Sequence, residues 1–197
     1  MPGLKTEQKI GLFGGSFDPV HLGHLLVAQA ACEEAGLDRL FFIPAAQSPF
    51  KPDITPAPAA ERLRLLRLAL AGKNHYEIDE QELKRGGISY TIDTVRDYAR
   101  RFPGAKLFYL IGADHAPSLP KWREAEELAR LAEFLAIPRP GQTDAAFAPP
   151  FRGRTLKGWP LDVSASQIRE RVKAGRRIDH LTPPAVAEAI PNYHLYL

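Results

Sequence analysis

Cysteine is nearly absent from this chain. Cys32 stands alone in 197 residues, so no internal disulfide forms and no cysteine cluster holds structural zinc. A lone thiol fits a reducing compartment. Long apolar runs are missing as well: none approaches the roughly 20 residues that span a bilayer. The polar stretch from Met1 to Gln8 runs straight into the strand-like Lys9-Ile10-Gly11-Leu12-Phe13 without a secretory apolar region. A cytoplasmic protein with no membrane partner is expected. Charge of one sign is not in excess. A net charge of +3 suits a site for phosphates but falls short of a surface that coats nucleic acid. The Gly-Lys-Ser/Thr ending of a P-loop and the Gly-x-Gly-x-x-Gly dinucleotide fingerprint are both absent, so those two phosphate-binding devices are excluded.

What is present is the make-up of an ordinary globular protein, 45% hydrophobic and 25% charged, with length for one substantial domain and a sizeable core. Short apolar runs alternate with amphipathic stretches: Ile10 to Phe13, then Leu22 to Ala35; Leu40 to Ile43, then Ala59 to Ala71; Leu107 to Ile111, then Arg123 to Leu131; and Glu133 to Ile137. Strand and helix in alternation predict an α/β fold with a doubly wound parallel sheet. The unbroken apolar runs at Leu40 to Ile43 and Leu107 to Ile111 read as central strands covered on both faces. A small helical cap is expected over 163–197, with helices from Ser166 to Ala174 and from Pro184 to Ala189, inside a single domain of 1–197. Proline-rich segments, Pro44 to Pro58 and Pro138 to Pro150, each follow a strand. In an open α/β sheet such loops line the ligand crevice, although stiffened surface connections would look the same.

The segment after the first strand carries chemistry. Gly14-Gly15 is expected to be a turn whose backbone N–H groups approach an anion closely. Asp18-Pro19 reads as a helix entry, with Asp18 as cap and Pro19 at the first position, unless the helix starts nearer Leu22. Either start aims the positive end of a helix at the turn. His21 and His24, three apart, share a helical face and can address one phosphate together. Paired histidines also suggest metal, but no carboxylate or thiol at ligand spacing completes a site, and no protein-bound metal is expected. Near the other end of the chain, Ser166 reads as an N-cap and Arg169 as a first-turn cation. A cation at a helix start is unfavourable unless an anion lies between; the alternative is an arginine reaching into solvent.

On Gly14-Gly15-Ser16 and His21-Leu22-Gly23-His24 the chain resembles the nucleotidylyltransferase superfamily, marked by a glycine-rich turn followed by His-x-x-His. The resemblance narrows to the bacterial nicotinate mononucleotide adenylyltransferases. It does so on Ile43-Pro44 with Ser48-Pro49-Phe50-Lys51, Asp79 to Arg85, Ser89 to Thr94, Ile111-Gly112-Ala113-Asp114, Leu119-Pro120-Lys121-Trp122 and Arg139-Pro140-Gly141, in order along nearly the whole chain. It implies an enzyme that moves the adenylyl group of ATP to nicotinate mononucleotide, with Mg²⁺ accompanying the ATP.

The same resemblance implies roles. His21 and His24 are catalytic. Gly14, Gly15, Ser16, Gly112, Asp114, Ile137, Arg139, Ser164, Ser166 and Arg169 bind ATP, with Ser164, Ser166 and Arg169 matching a Ser-Ser-Thr-x-Ile-Arg-like motif for the β- and γ-phosphates. Lys51, Thr91 and Trp122 bind the acceptor. The residues alone leave other readings open: Asp114 as a helix cap, Thr91 as the cap of a helix through Tyr98, Trp122 as core. Where the family usually carries Pro-Pro-His-Lys this chain has Phe50, so any polar contact of that histidine is lost; Ala165 likewise replaces one hydroxyl of the C-terminal motif. Nicotinamide mononucleotide and phosphopantetheine are the alternative acceptors. An ATP-binding regulator or an RNA-binding module on the same fold is the alternative class. The basic run Arg169, Arg171, Lys173, Arg176 and Arg177 lacks the interleaved aromatics that base stacking needs, so nucleic acid is not an expected partner. Association into a homo-oligomer is left open.

Overall fold

The computed structural model describes residues 7–50, 55–138, 140–141 and 144–197. The apolar runs form strands β1 (Lys9–Gly15), β2 (Arg39–Pro44), β4 (Lys106–Gly112) and β5 (Glu133–Ile137), joined at the edges by β3 (Tyr76–Ile78) and β6 (Gly153–Thr155). The order is β3-β2-β1-β4-β5-β6, and every neighbouring pair is parallel. The winding reverses between β1 and β4, and the crevice beyond the carboxyl ends of those two strands is where a doubly wound sheet takes its ligand. The expected α/β architecture is the observed one.

Continuous apolar strands are explained by two cores, one on each face. Phe13, Leu40, Phe42, Phe108 and Leu110 point to one side, where α1 (Leu22–Ala35), α2 (Ala59–Leu70), α6 (Ala165–Lys173) and α7 (Pro184–Asn192) cover them with Ala28, Leu65, Ile168 and Val186 among others. Their immediate neighbours Ile10, Leu12, Phe41, Ile43, Leu107 and Tyr109 point to the other. There α4 (Thr91–Arg101), α5 (Ala125–Leu131) and a 3-10 helix (Ala113–Lys121) supply Ile92, Leu128 and Leu119. Each fully buried aliphatic side chain contributes roughly 1.5–3 kcal/mol. α6 and α7 therefore share a core with the sheet.

β3, β6 and the five-residue α3 (Gln81–Arg85) escape a periodicity reading because three to five residues hold too little of a repeat. Helix starts also differ from expectation. The residue capping α6 is Ser164, whose Oγ accepts the Gln167 N–H at 3.2 Å while the Gln167 Oε1 accepts the Ser164 N–H at 2.7 Å. Ser166 therefore lies inside the helix, and Arg169 in its second turn. Tyr90, with extended backbone, occupies the cap position of α4, which makes Thr91 its first helical residue. Gly112 precedes the 3-10 helix, with Asp114 in its first turn. Among the described residues no helix is long and apolar enough to cross a membrane.

Candidate active site

Gly14 and Gly15 are the last two residues of β1 rather than a turn, paired to Ile43 and Pro44. Gly14 is needed for a reason that lies in a neighbouring strand: a Cβ there would come within 2.3 Å of the Tyr109 Oη. The chain turns instead at Phe17, at φ 45. The helix starts at Leu22, not at Asp18-Pro19, and His21 takes the cap position.

The histidines meet as the spacing predicts. Their rings stack with centroids 3.7 Å apart. The His21 backbone N–H donates to the His24 Nδ1 at 3.2 Å, which leaves the proton of the neutral His24 ring on Nε2. Burial holds the His21 pKa down to about 4. Burial and the neighbouring His21 push that of His24 well below its ordinary value. Both imidazoles are therefore neutral at pH 7, and a bound polyanion would favour their protonation. The His21 Nδ1 is buried without a hydrogen-bond partner among the described residues. Gly23 between them is a close approach: a Cβ would lie 3.1 Å from the Val163 Cγ1, so the segment leading into α6 rests on the first turn of α1.

Arg169 completes that junction. Its Nη1 donates to the Asp18 carbonyl oxygen at 2.7 Å and its Nη2 to the Ser166 Oγ at 3.2 Å, so it spans from α6 to the β1–α1 connection instead of reaching into solvent. Two helix N-termini and the Arg169 guanidinium thereby border one region. A cavity of about 500 Å³ occupies it, lined by Ser16, His21, His24, Gly112, Ile137, Ser164, Ser166 and Arg169 of the expected residues. Both proline-rich loops also contribute to its wall, through Ala46, Gln47, Ser48 and Pro56 from one and Pro138 and Pro140 from the other.

Gly14, Gly15, Asp114, Thr91 and Trp122 do not line that cavity. Thr91 and Trp122 gather instead around Tyr109. The Thr91 Oγ1 lies 3.4 Å from the Tyr109 Oη, and the Trp122 ring is 6.5 Å from the Tyr109 ring with its Nε1 donating to the Ser118 Oγ at 3.2 Å. Phe50 joins this group, 5.3 Å from Trp122 and 4.9 Å from His115, so the residue in place of a histidine adds an aromatic surface there. Trp122 is half-buried at the edge of the core. Lys51 and Arg139 lie outside the described residues.

Sequence reasoning missed Arg62. It is 2% exposed in α2 and donates to the carbonyl oxygens of Ser16 at 2.7 Å, Ala45 at 2.9 Å and Ala57 at 2.9 Å. Asp18, also buried, accepts from the Tyr196 hydroxyl at 2.7 Å and the Ala57 N–H at 3.2 Å. An arginine at a core-facing position of an amphipathic helix was the available signal, since an unpaired cation is almost never fully buried.

Comparison with known proteins agrees with this geometry. Residues 12–171 match the family model described as cytidylyltransferase-like. A protein of Opitutus terrae named "Probable nicotinate-nucleotide adenylyltransferase" is 41% identical over 95% of this chain and 97% of its own length. One of the same name from Exiguobacterium sibiricum is 43% identical over 95% and 98%. The solved Plasmodium falciparum nicotinic acid mononucleotide adenylyltransferase complexed with NaAD aligns with a TM-score of 0.78 over 96% of this chain and 98% of that one. At 19% identity it speaks for the fold. With relatives this similar along nearly their whole length, and with the histidine pair and the capped α6 brought to one crevice, the chain belongs to the nicotinate-nucleotide adenylyltransferases of the cytidylyltransferase-like family.

Proposed function

We propose that this enzyme transfers the adenylyl group of ATP to nicotinate mononucleotide, giving nicotinic acid adenine dinucleotide and pyrophosphate for NAD synthesis. The observation that carries the proposal is the meeting of His21, His24, Ser164 and Arg169 on one cavity at the β1/β4 reversal. An oxygen of the acceptor 5′-phosphate forms the new bond to the α-phosphorus of ATP, and the bond from that phosphorus to the bridging oxygen breaks in line, releasing pyrophosphate. No protein nucleophile is needed, because such transfers are accelerated by positioning and by stabilising charge on the phosphoryl oxygens and leaving group.

His21 and His24 act together on the bridging phosphates, His24 donating from Nε2. Ser16, Ser164, Ser166 and Arg169 hold the β- and γ-phosphates at the two helix starts. Gly112, Asp114, Ile137 and Arg139 receive the adenosine, with Gly14 and Gly15 keeping the strand end thin. Lys51 attracts the acceptor phosphate, while Thr91 and Trp122 take the nicotinate ring. Among the described residues no group of three His, Cys, Asp or Glu side chains is arranged to hold a metal ion; Mg²⁺ enters as part of the magnesium–ATP substrate. The protein works as one cytoplasmic domain, with neither nucleic acid nor membrane as partner.

The test is pyrophosphate release from ATP with nicotinate mononucleotide, nicotinamide mononucleotide and phosphopantetheine in parallel. Release fastest with the nicotinate acceptor is expected. A preference for another acceptor, or no release with any, overturns the proposal.

A further inference from the structure

Trp159 is 52% exposed and forms part of the wall of the same cavity as His24 and Ser164. Tryptophan kept for stability hides most of its indole, so an open one beside a nucleotide-sized cavity points to a ligand. The segment that carries it is firmly seated. The backbone N–H groups of Lys157 and Gly158 donate to the two carboxylate oxygens of Glu34 at 2.9 and 2.8 Å, and Arg154 donates to the Glu34 carbonyl oxygen at 2.7 Å. Gly158, at φ +47, lies so near α1 that a Cβ would be 3.0 Å from that of Ala30.

Ala30 is six residues beyond His24, about 9 Å along the helix axis at 1.5 Å per residue. A nucleotide whose phosphates sit at the histidines and whose ribose lies along α1 brings its base to this segment. Val27, Ile137 and Leu156 supply apolar walls there, and a purine bound between apolar walls gains most from one flat aromatic face.

We infer that Trp159 is the face on which the adenine of ATP stacks, and that Glu34 is the positioning residue that fixes the segment carrying it. The inference rests on the ATP half of the proposed function and not on the acceptor.

Trp122 and Trp159 are the two tryptophans of the chain, so in the Trp122→Phe protein the fluorescence reports Trp159 alone. Titration with ATP, without acceptor, should give a saturable change in its emission, and inorganic triphosphate should give none. In the otherwise native enzyme, Trp159→Ala should raise the KM for ATP about 10-fold with kcat nearly kept, Trp159→Phe should restore most of the affinity, and Glu34→Ala should raise the same KM. Emission that ATP leaves unchanged, or an unaltered KM in Trp159→Ala, overturns the inference. Should Trp159→Ala fail to fold, the titration still decides. A saturable response to ATP in a protein that adenylylates no acceptor would sustain this inference while the proposed function falls. Adenylylation of nicotinate mononucleotide with Trp159 silent would do the reverse.

Discussion

At the scale of single residues, the histidine pair ties function to acid sensitivity. Replacing His24 by Ala removes the Nε2 donor proposed to act on the phosphates, and turnover should fall about 100-fold or more with the fold kept; steady-state kinetics beside a circular dichroism spectrum checks this. His21 has its pKa lowered from 6.5 to about 4 by burial. Between those values the unfolded chain takes up a proton that the folded chain refuses. Stability is therefore whole above about pH 6.5 and is lost as pH falls toward 4, by about 3 kcal/mol from this group. Urea midpoints at pH 7 and 4.5 should show that loss, and the His21→Asn protein should show a shallower one. Equal slopes in the two proteins would remove His21 as the cause. Saturating ATP should also flatten the native profile, because bound phosphates favour the imidazolium forms.

Elements act through their contacts with one another, and the β1–β4 pair is the sharpest case. The Gly14→Ala methyl would fall 2.3 Å from the Tyr109 Oη, and Tyr109 is buried, so its ring has little room to retreat. A loss of about 2 kcal/mol is expected from such overpacking. Tyr109→Phe removes the offending oxygen, so the double variant should recover much of the loss. A double-mutant cycle by chemical denaturation measures the coupling, and additive effects would count against this explanation. The same Tyr109 hydroxyl touches Thr91 at the start of α4. The end of β1 is thus joined to the segment proposed for the acceptor.

Across the whole molecule, the connection from Ser16 to Asp18 is held from three remote places. Arg62 takes the Ser16 carbonyl, Arg169 the Asp18 carbonyl and Tyr196 the Asp18 carboxylate. Burial pushes the Arg62 pKa down, against the opposing pull of the nearby Asp18 carboxylate, while three backbone carbonyls accept its hydrogen bonds. Arg62→Met should lower stability by about 3 kcal/mol, because carbonyls of three segments lose their donor. It should also reduce kcat more than a remote substitution of equal stability cost, since the connection from Ser16 to Asp18, proposed to face the phosphates, loses its brace. Arg62→Lys should recover only part of both, one ammonium being unable to span three carbonyls. Denaturation and kinetics on the same preparations decide this.

The alternation of apolar runs by itself determined the parallel doubly wound sheet, because strands covered on both faces must be apolar throughout. The histidine spacing likewise pointed to two rings that meet, but they do so because His21 is the extended cap of α1 and its N–H bonds to the His24 Nδ1, not because both lie on a helical face. Tertiary structure alone decided which motifs meet. It made Gly14 a matter of clearance from Tyr109, set Arg62 under the connection from Ser16 to Asp18 and separated the Tyr109 group from the main cavity; the cap of α6 at Ser164, by contrast, is a local Ser-x-x-Gln pattern that the sequence itself carries. Those tertiary outcomes depend on contacts between residues up to 95 positions apart, and no local pattern encodes a distance between strands or the reach of a buried side chain.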